Sequence, residues 1–496
     1  MLSAPSLREI IWPINRDEYK LFMPMALMML CVLFNFSALR SIKDALVIPT
    51  LGAEVISFMK LWVVLPSALI VTIIYAKLSN SYSLEQMFYL VVIMFLTIFV
   101  TFTFILYPNS DFYHFSPETT QNLIASYPHM QWFIKLVSHW SFALMYVFSE
   151  LWAVVVINLM FWQFANHVID TNRAKRFYPF LAMFGNLGLI FAGNSVVSLS
   201  NPQNCFFCFF AEYIGDYKDD TEITLKLLIL LICAVAVVSM LILRYIHKYV
   251  FSDKAVKLAH NPTSTKTSLS LRESVKLITS SRYIGYILVI VICYGFVINL
   301  LEGPWKNKVR ELYPNTNEYL RFMGNFNIWM GTTCVAITIF TSNILRFFGW
   351  FVAAIMTPSI MAITGSLFFI FVIIGDSFNI LLPFSFDPLY AAVIAGATQN
   401  ILSKSTKYSL FDSTKEMAYI PLSVELRTKG KAAAEIVGAK LGKSLGAFVQ
   451  SLLFILIPSA SFDSITPILM VVFITIIMIW FMDLNKLNTE YKKLHE

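Results

Sequence analysis

Charge is what this chain has least of. Asp, Glu, Lys and Arg make up 14% of its 496 residues, hydrophobic residues make up 57%, and the mean hydropathy is +0.68. A soluble domain carries about a quarter charged residues, and no soluble fold of this size could hide so much apolar surface. Cysteine is scarce too. The six cysteines stand mostly in apolar runs. Cys205 and Cys208 form a C-x-x-C between phenylalanines. A zinc site would need a second ligand pair nearby, and none follows, so the pair reads as incidental, or at most as a disulfide on the outer face. Walker, kinase and H-E-x-x-H patterns are missing. "GAKLGKSLG" comes close to a phosphate-binding glycine loop. However, Gly438 stands four residues before Gly442 rather than five, and no strand precedes it. An ATP-hydrolysing motor is therefore excluded, no enzyme is expected, and neither a cofactor nor a metal is implied.

Long apolar runs are what the chain does have. A helix needs roughly 20 apolar residues to cross the ~30 Å hydrocarbon core. Twelve runs of about that length are read near 21–39, 56–76, 87–107, 141–163, 179–200, 224–246, 284–302, 322–342, 350–374, 388–408, 436–457 and 465–483. They are continuous rather than period-two, which argues against an outer-membrane barrel. The fold class expected is an all-α polytopic membrane protein.

Lys and Arg are unevenly spread over the loops, and that asymmetry sets orientation. One side holds Arg8, Arg16 and Lys20, then Arg173, Lys175 and Arg176, the basic connector from His247 to Arg282, and Lys486, Lys492 and Lys493. The loops 375–387 and 458–464 on the other side have no Lys or Arg. The loop with Lys306, Lys308, Arg310 and Arg321 is the exception. Both termini are expected in the cytoplasm. Residues 1–20 mix acids with bases and resemble no targeting segment.

The connector 247–283 divides the chain into 1–246 and 284–496, each with six expected spans. Two six-helix halves imply a major-facilitator-like architecture with a substrate site between them at mid-membrane. A faint repeat supports the division. "NFSALRSIKDAL" ends span 1 where "INLLEGPWKNKV" ends span 7.

Ionisable residues inside the bilayer are costly and usually face a cavity or a partner. Glu150 stands mid-span with no basic residue within ten positions, so its partner must come from another helix. Arg40, Lys43 and Asp44 end span 1; Glu302 and Lys306 end span 7. Asn400, Lys404 and Lys407 share one face of span 10. Lys443 stands among glycines, which let a backbone or a ligand come close. Each has a plainer reading: Lys43 and Lys407 could snorkel to the interface, and Glu150 could be an acceptor between helices. The 44 phenylalanines read mostly as lipid-facing and interfacial. Taken as a set, lysines with acids in a central cavity suit an anionic substrate, phosphate above all.

"LFNFSALRSIKDALVIP", "ELWAVVVINLMFWQFAN", "INLLEGPWKNKVRELYP", "ILSKSTKYSLFDSTKEMAYIPL" and "KGKAAAEIVGAKLGKS" follow one another in an order that resembles the ATP/ADP translocases of obligate intracellular bacteria and plastids. The resemblance covers nearly the whole chain. It implies a multi-pass transporter of the bacterial inner membrane that imports ATP in exchange for ADP by alternating access. Some paralogues move other nucleotides, by exchange or proton symport, and a proton-coupled anion symporter is the rival mechanism. The family's charged positions match Lys43, Glu150, Glu302 and Lys443, with Arg40, Lys306, Asn400 and Lys404 as secondary candidates. The partners implied are ATP, ADP and membrane lipid, with neither nucleic acid nor an obligate protein partner.

Overall fold

The computed structural model describes residues 14–169, 171–214, 217–250, 281–381, 387–423, 431–458 and 460–494. Among them the chain is helical and contains no strand. The principal helices are α1 (Tyr19–Leu51), α2 (Val55–Leu78), α3 (Leu84–Leu106), α4 (Trp140–Asn166), α5 (Thr171–Leu199) and α6 (Asp220–Val250), followed by α7 (Arg282–Leu312), α8 (316–348), α9 (Gly349–Ile374), α10 (Pro388–Thr406), α11 (Lys431–Leu456) and α12 (Phe462–Lys493). Among the described residues nine helices are long and apolar enough to cross a membrane. The other segments, α8, α10 and α11, carry Asn325 and Asn327, then Gln399, Asn400 and Lys404, then Lys443 and Gln450 within their apolar stretches. Most of the connector, 251–280, lies outside the described residues.

The helix starts follow from local chemistry. Ser83 accepts from the amide of Gln86, whose side chain accepts from the amide of Ser83, a reciprocal box at the start of α3. Asp219 caps α6 by accepting from Glu222 N at 2.8 Å. Asp387 caps α10, with Pro388 in its first turn. One continuous helical stretch is broken into α8 and α9 at Gly349, whose φ of +76° falls in the left-handed region that glycine tolerates.

The helices pack in a repeating pattern. α1 contacts α4, α5 and α6, and α7 contacts α10, α11 and α12 in the corresponding way. α11 lies tight on α7 because glycines face it. A Cβ on Gly442 would meet Ile292 O at 2.8 Å, and one on Gly446 would meet Asn299 Cβ at 2.9 Å. The glycines around Lys443 therefore serve helix contact, as small residues do between membrane helices. Pro304 in α7 cannot donate to the carbonyl of Leu300. Gln450 of α11 supplies the missing donor at 2.9 Å to that oxygen.

α1 and α7 run side by side from the same end of the molecule, called here the near end. Bonds linking the two sets of helices gather from mid-length toward the far end. Asn327 donates to Ser41 Oγ at 2.9 Å, Arg321 to Ser200 O at 3.4 Å and Phe462 N to Glu54 at 3.2 Å. His129 meets Ile455 O at 2.7 Å, and Gln131 donates to Pro458 O.

Candidate functional site

Lys43 and Lys306 stand at the same distance from the starts of α1 and α7. Asp44 binds both: its Oδ1 lies 2.7 Å from Lys43 Nζ and its Oδ2 lies 2.8 Å from Lys306 Nζ. Lys43 is 1% exposed, so it does not snorkel. It also reaches Glu150 of α4 at 2.9 Å and lies 3.9 Å from the centroid of the Tyr146 ring. The partner that Glu150 needs from another helix is thus Lys43. Glu302 binds three cations: Arg40 at 3.3 Å, Lys60 at 2.6 Å and Lys306 at 3.0 Å. Lys60 also donates to Asn299 at 3.0 Å.

Lys43, Glu150, Glu302, Arg40 and Lys306 therefore form one connected network with Asp44 and Lys60, spanning α1, α2, α4 and α7. Asn400 stands apart, buried and donating to Gly396 O at 3.0 Å. Lys404 and Lys443 are outside the network as well. The Lys404 ammonium is buried, has no hydrogen-bond partner among the described residues, and lies 5.7 Å from the centroid of Phe326. Lys443 makes no ion pair among the described residues, and it is exposed. A mid-span ammonium that is open and not packed meets water, because charge in hydrocarbon is costly, and so lines a water-filled cleft. Lys407 is bound to Asp412 at 2.9 Å.

Lys60 is the residue that sequence reasoning missed. Its signal was present in part: it is a lone lysine inside the expected span 56–76, in the apolar run "SFMKLWVV", but it stands near the start of that span with Glu54 six residues before it. The backbone gives a second mark. π-helical turns at Met59–Val64, Ala153–Phe161 and Lys407–Phe411 carry Lys60, begin one turn after Glu150 and carry Lys407. Such turns are frequent at functional sites, although those at Phe102–Leu106 and Ile246–Val250 carry none of the network's residues.

Among the described residues, the network pairs the cations Arg40, Lys43, Lys60 and Lys306 with the carboxylates Asp44, Glu150 and Glu302, and Lys404 and Lys443 add two cations without an ion pair. The region is thus short of negative charge, and a multivalent anion would supply it. Ammonium groups act toward phosphate as point charges with several donors.

Comparison with known proteins covers the full length. The profile of the TLC ATP/ADP transporter family matches residues 2–491. The chain is 55% identical over 497 residues to "ADP,ATP carrier protein 3" of Rickettsia felis (strain ATCC VR-1525 / URRWXCal2), covering 98% of each chain. It is 42% identical over 495 residues to "ADP,ATP carrier protein 1" of Rickettsia bellii (strain RML369-C), covering 98% of this chain and 96% of the relative. Among solved structures, a bacterial homologue of the iron transporter ferroportin in an inward-facing state superposes with TM-score 0.56 at 14% identity, covering 96% of this chain and 99% of that one. The xylose transporter XylE from E. coli, partially occluded and inward open, gives 0.52 at 11%, covering 94% and 97%. At those identities the likeness is one of fold, that of major-facilitator-type transporters.

Proposed function

The chain belongs to the TLC ATP/ADP transporter family, and from that premise we propose that it is an ATP:ADP antiporter, importing ATP and exporting ADP across the bacterial inner membrane. The observation that carries this reading is full-length identity of 54–56% to relatives named ADP,ATP carrier proteins. The geometry supports it with an excess of buried and cleft-lining cations. In this reading the chain crosses the membrane twelve times in two halves, 1–246 and 284–496, with both termini and the connector 247–283 in the cytoplasm. The near end is then cytoplasmic, and the cleft that exposes Lys443 opens inward.

Lys43, Glu150, Glu302 and Lys443 form the centre of the substrate site, with Arg40, Lys306, Lys404 and Asn400 around it. The polyphosphate takes the positions that carboxylates now hold on Lys43, Lys306 and Lys60, and it gives Lys404 and Lys443 a partner. Releasing Asp44 and Glu302 undoes the ion pairs between α1, α2 and α7, so the far end parts while the near end closes. An empty carrier would have to close over unpaired ammonium groups, at a cost of several kcal/mol. It therefore reorients only when loaded, which makes the exchange obligatory.

Purified protein in liposomes is expected to take up labelled ATP only when ADP or ATP is inside. Equal uptake into empty vesicles would refute exchange, and uptake driven by an imposed pH gradient would point to proton symport. A competition panel of nucleoside di- and triphosphates fixes the specificity.

A further inference from the structure

The charged groups account for the phosphate end of a nucleotide. The lysines and carboxylates offer no face to a flat heteroaromatic base, which binds by stacking, and the Arg40 guanidinium is held by Glu302. Tyr408 offers such a face. It stands one turn beyond Lys404, on the π-helical turn Lys407–Phe411. Its side chain is 62% exposed, and the Lys407 ammonium that lies 4.5 Å from its ring also lies 5.9 Å from the ring of Tyr294 on α7. The ring thus stands on the α7 side of α10, one turn along from the buried Lys404.

One face of the ring is set by Lys407, whose Nζ lies 4.5 Å from the centroid while held by Asp412. Tyr408 makes no hydrogen bond and stacks on no other ring among the described residues. Its neighbour Tyr294, by contrast, is buried and stacked on Phe411 at 5.3 Å. A bare aromatic ring beside an ammonium group gives up apolar burial that packing would otherwise supply.

We propose that Tyr408 is the platform on which the nucleobase of the substrate stacks, its phosphates running toward Lys404 and Arg40. The inference rests on the reading that the chain carries nucleotides. One helical turn advances about 5.4 Å, a gap that a ribose bridges between base and phosphate. Stacking reads the area of a base and not its hydrogen-bond edge, so the platform favours purines over pyrimidines without separating adenine from guanine.

The test is ATP affinity of the full-length protein with Tyr408→Leu and Tyr408→Phe. Tyr408→Leu keeps apolar bulk and should weaken ATP binding between about fivefold and a hundredfold, the range of one stacked base. Tyr408→Phe should keep it within about twofold. Inorganic tripolyphosphate should compete equally against unaltered protein and both variants. Fluorescence of ethenoadenosine triphosphate should be quenched on binding to unaltered protein and to Tyr408→Phe, and not to Tyr408→Leu. Unchanged ATP affinity in Tyr408→Leu, or a loss shared equally by tripolyphosphate, would overturn the platform. Failure of the unaltered protein to bind any nucleotide would instead overturn the transport reading beneath it.

Discussion

Lys43 and Lys443 place the same ammonium group in opposite circumstances. Lys43 is enclosed, with Asp44, Glu150 and the Tyr146 ring around it, whereas Lys443 is exposed and makes no ion pair among the described residues. If both take substrate phosphate, Lys43→Gln and Lys443→Gln should each weaken triphosphate binding on the order of ten- to a hundredfold, since a charge-assisted contact contributes roughly 1.5–3 kcal/mol. Lys43→Arg should recover part of the loss, because a planar fork does not reproduce a compact ammonium. Affinities of correctly folded, detergent-purified variants decide it; unchanged values in both would remove these lysines from the site. A second residue-scale expectation concerns the far-end loop. Burial lowers the pKa of His114 to about 4, with His139 and Lys218 adding repulsion and Asp111 opposing them. Its Nε2 lies 2.7 Å from Ser141 Oγ. An unfolded histidine titrates near 6.5. The stability carried by the neutral ring is therefore complete above about pH 6.5 and is lost as pH falls toward 4. Amide exchange across 110–141, corrected for intrinsic rate, should quicken at pH 5 relative to pH 7.5, and His114→Gln should reduce that difference.

α5 and α8 approach as closely as their backbones allow. A Cβ on Gly193 would meet Gly324 O at 2.5 Å and Ile328 N at 3.0 Å, and neither backbone atom can step aside. In the proposed reading the contact belongs to a state closed at the far end, so Gly193→Val should favour the state open there, read as faster thiol labelling of a cysteine introduced at Ser200, which is buried beside Arg321, with folding preserved. Labelling at the unaltered rate would mean that the α5–α8 contact does not change during transport. Helices of this kind were legible in the sequence wherever apolar length alone decides, and the glycine break at 349 fell between two expected spans. The ionisable residues inside spans were legible too, because charge in hydrocarbon is conspicuous. Their pairing was not. That Asp44 binds Lys306 and that Lys60 binds Glu302 depends on the packing of α1 and α2 against α7, which no local pattern encodes. The role of the glycines near Lys443 was open for the same reason: a close approach needs a partner, and only the fold identifies α7.

At the scale of the molecule, the expected orientation requires cysteine tags at 260 and 490 to be labelled only from the cytoplasmic side and one at 219 only from outside. Labelling of 219 and 490 from the same side would refute the odd number of crossings, seven, expected between the two sites. The fold brings the counterpart lysines of α1 and α7 to one carboxylate, and that arrangement bears on ancestry. A chain made by doubling a six-helix unit begins with the same residue at both related places. Here the counterpart of Asp44 is Asn307, turned away to donate to Glu311 at 2.7 Å. An aspartate at the second place as well would set four carboxylates against the six cations, narrowing the excess of positive charge without closing it. The amide keeps that excess at its widest. A doubled bundle with a carboxylate at one related place and an amide at the other is thereby left with a seam that a multivalent guest completes.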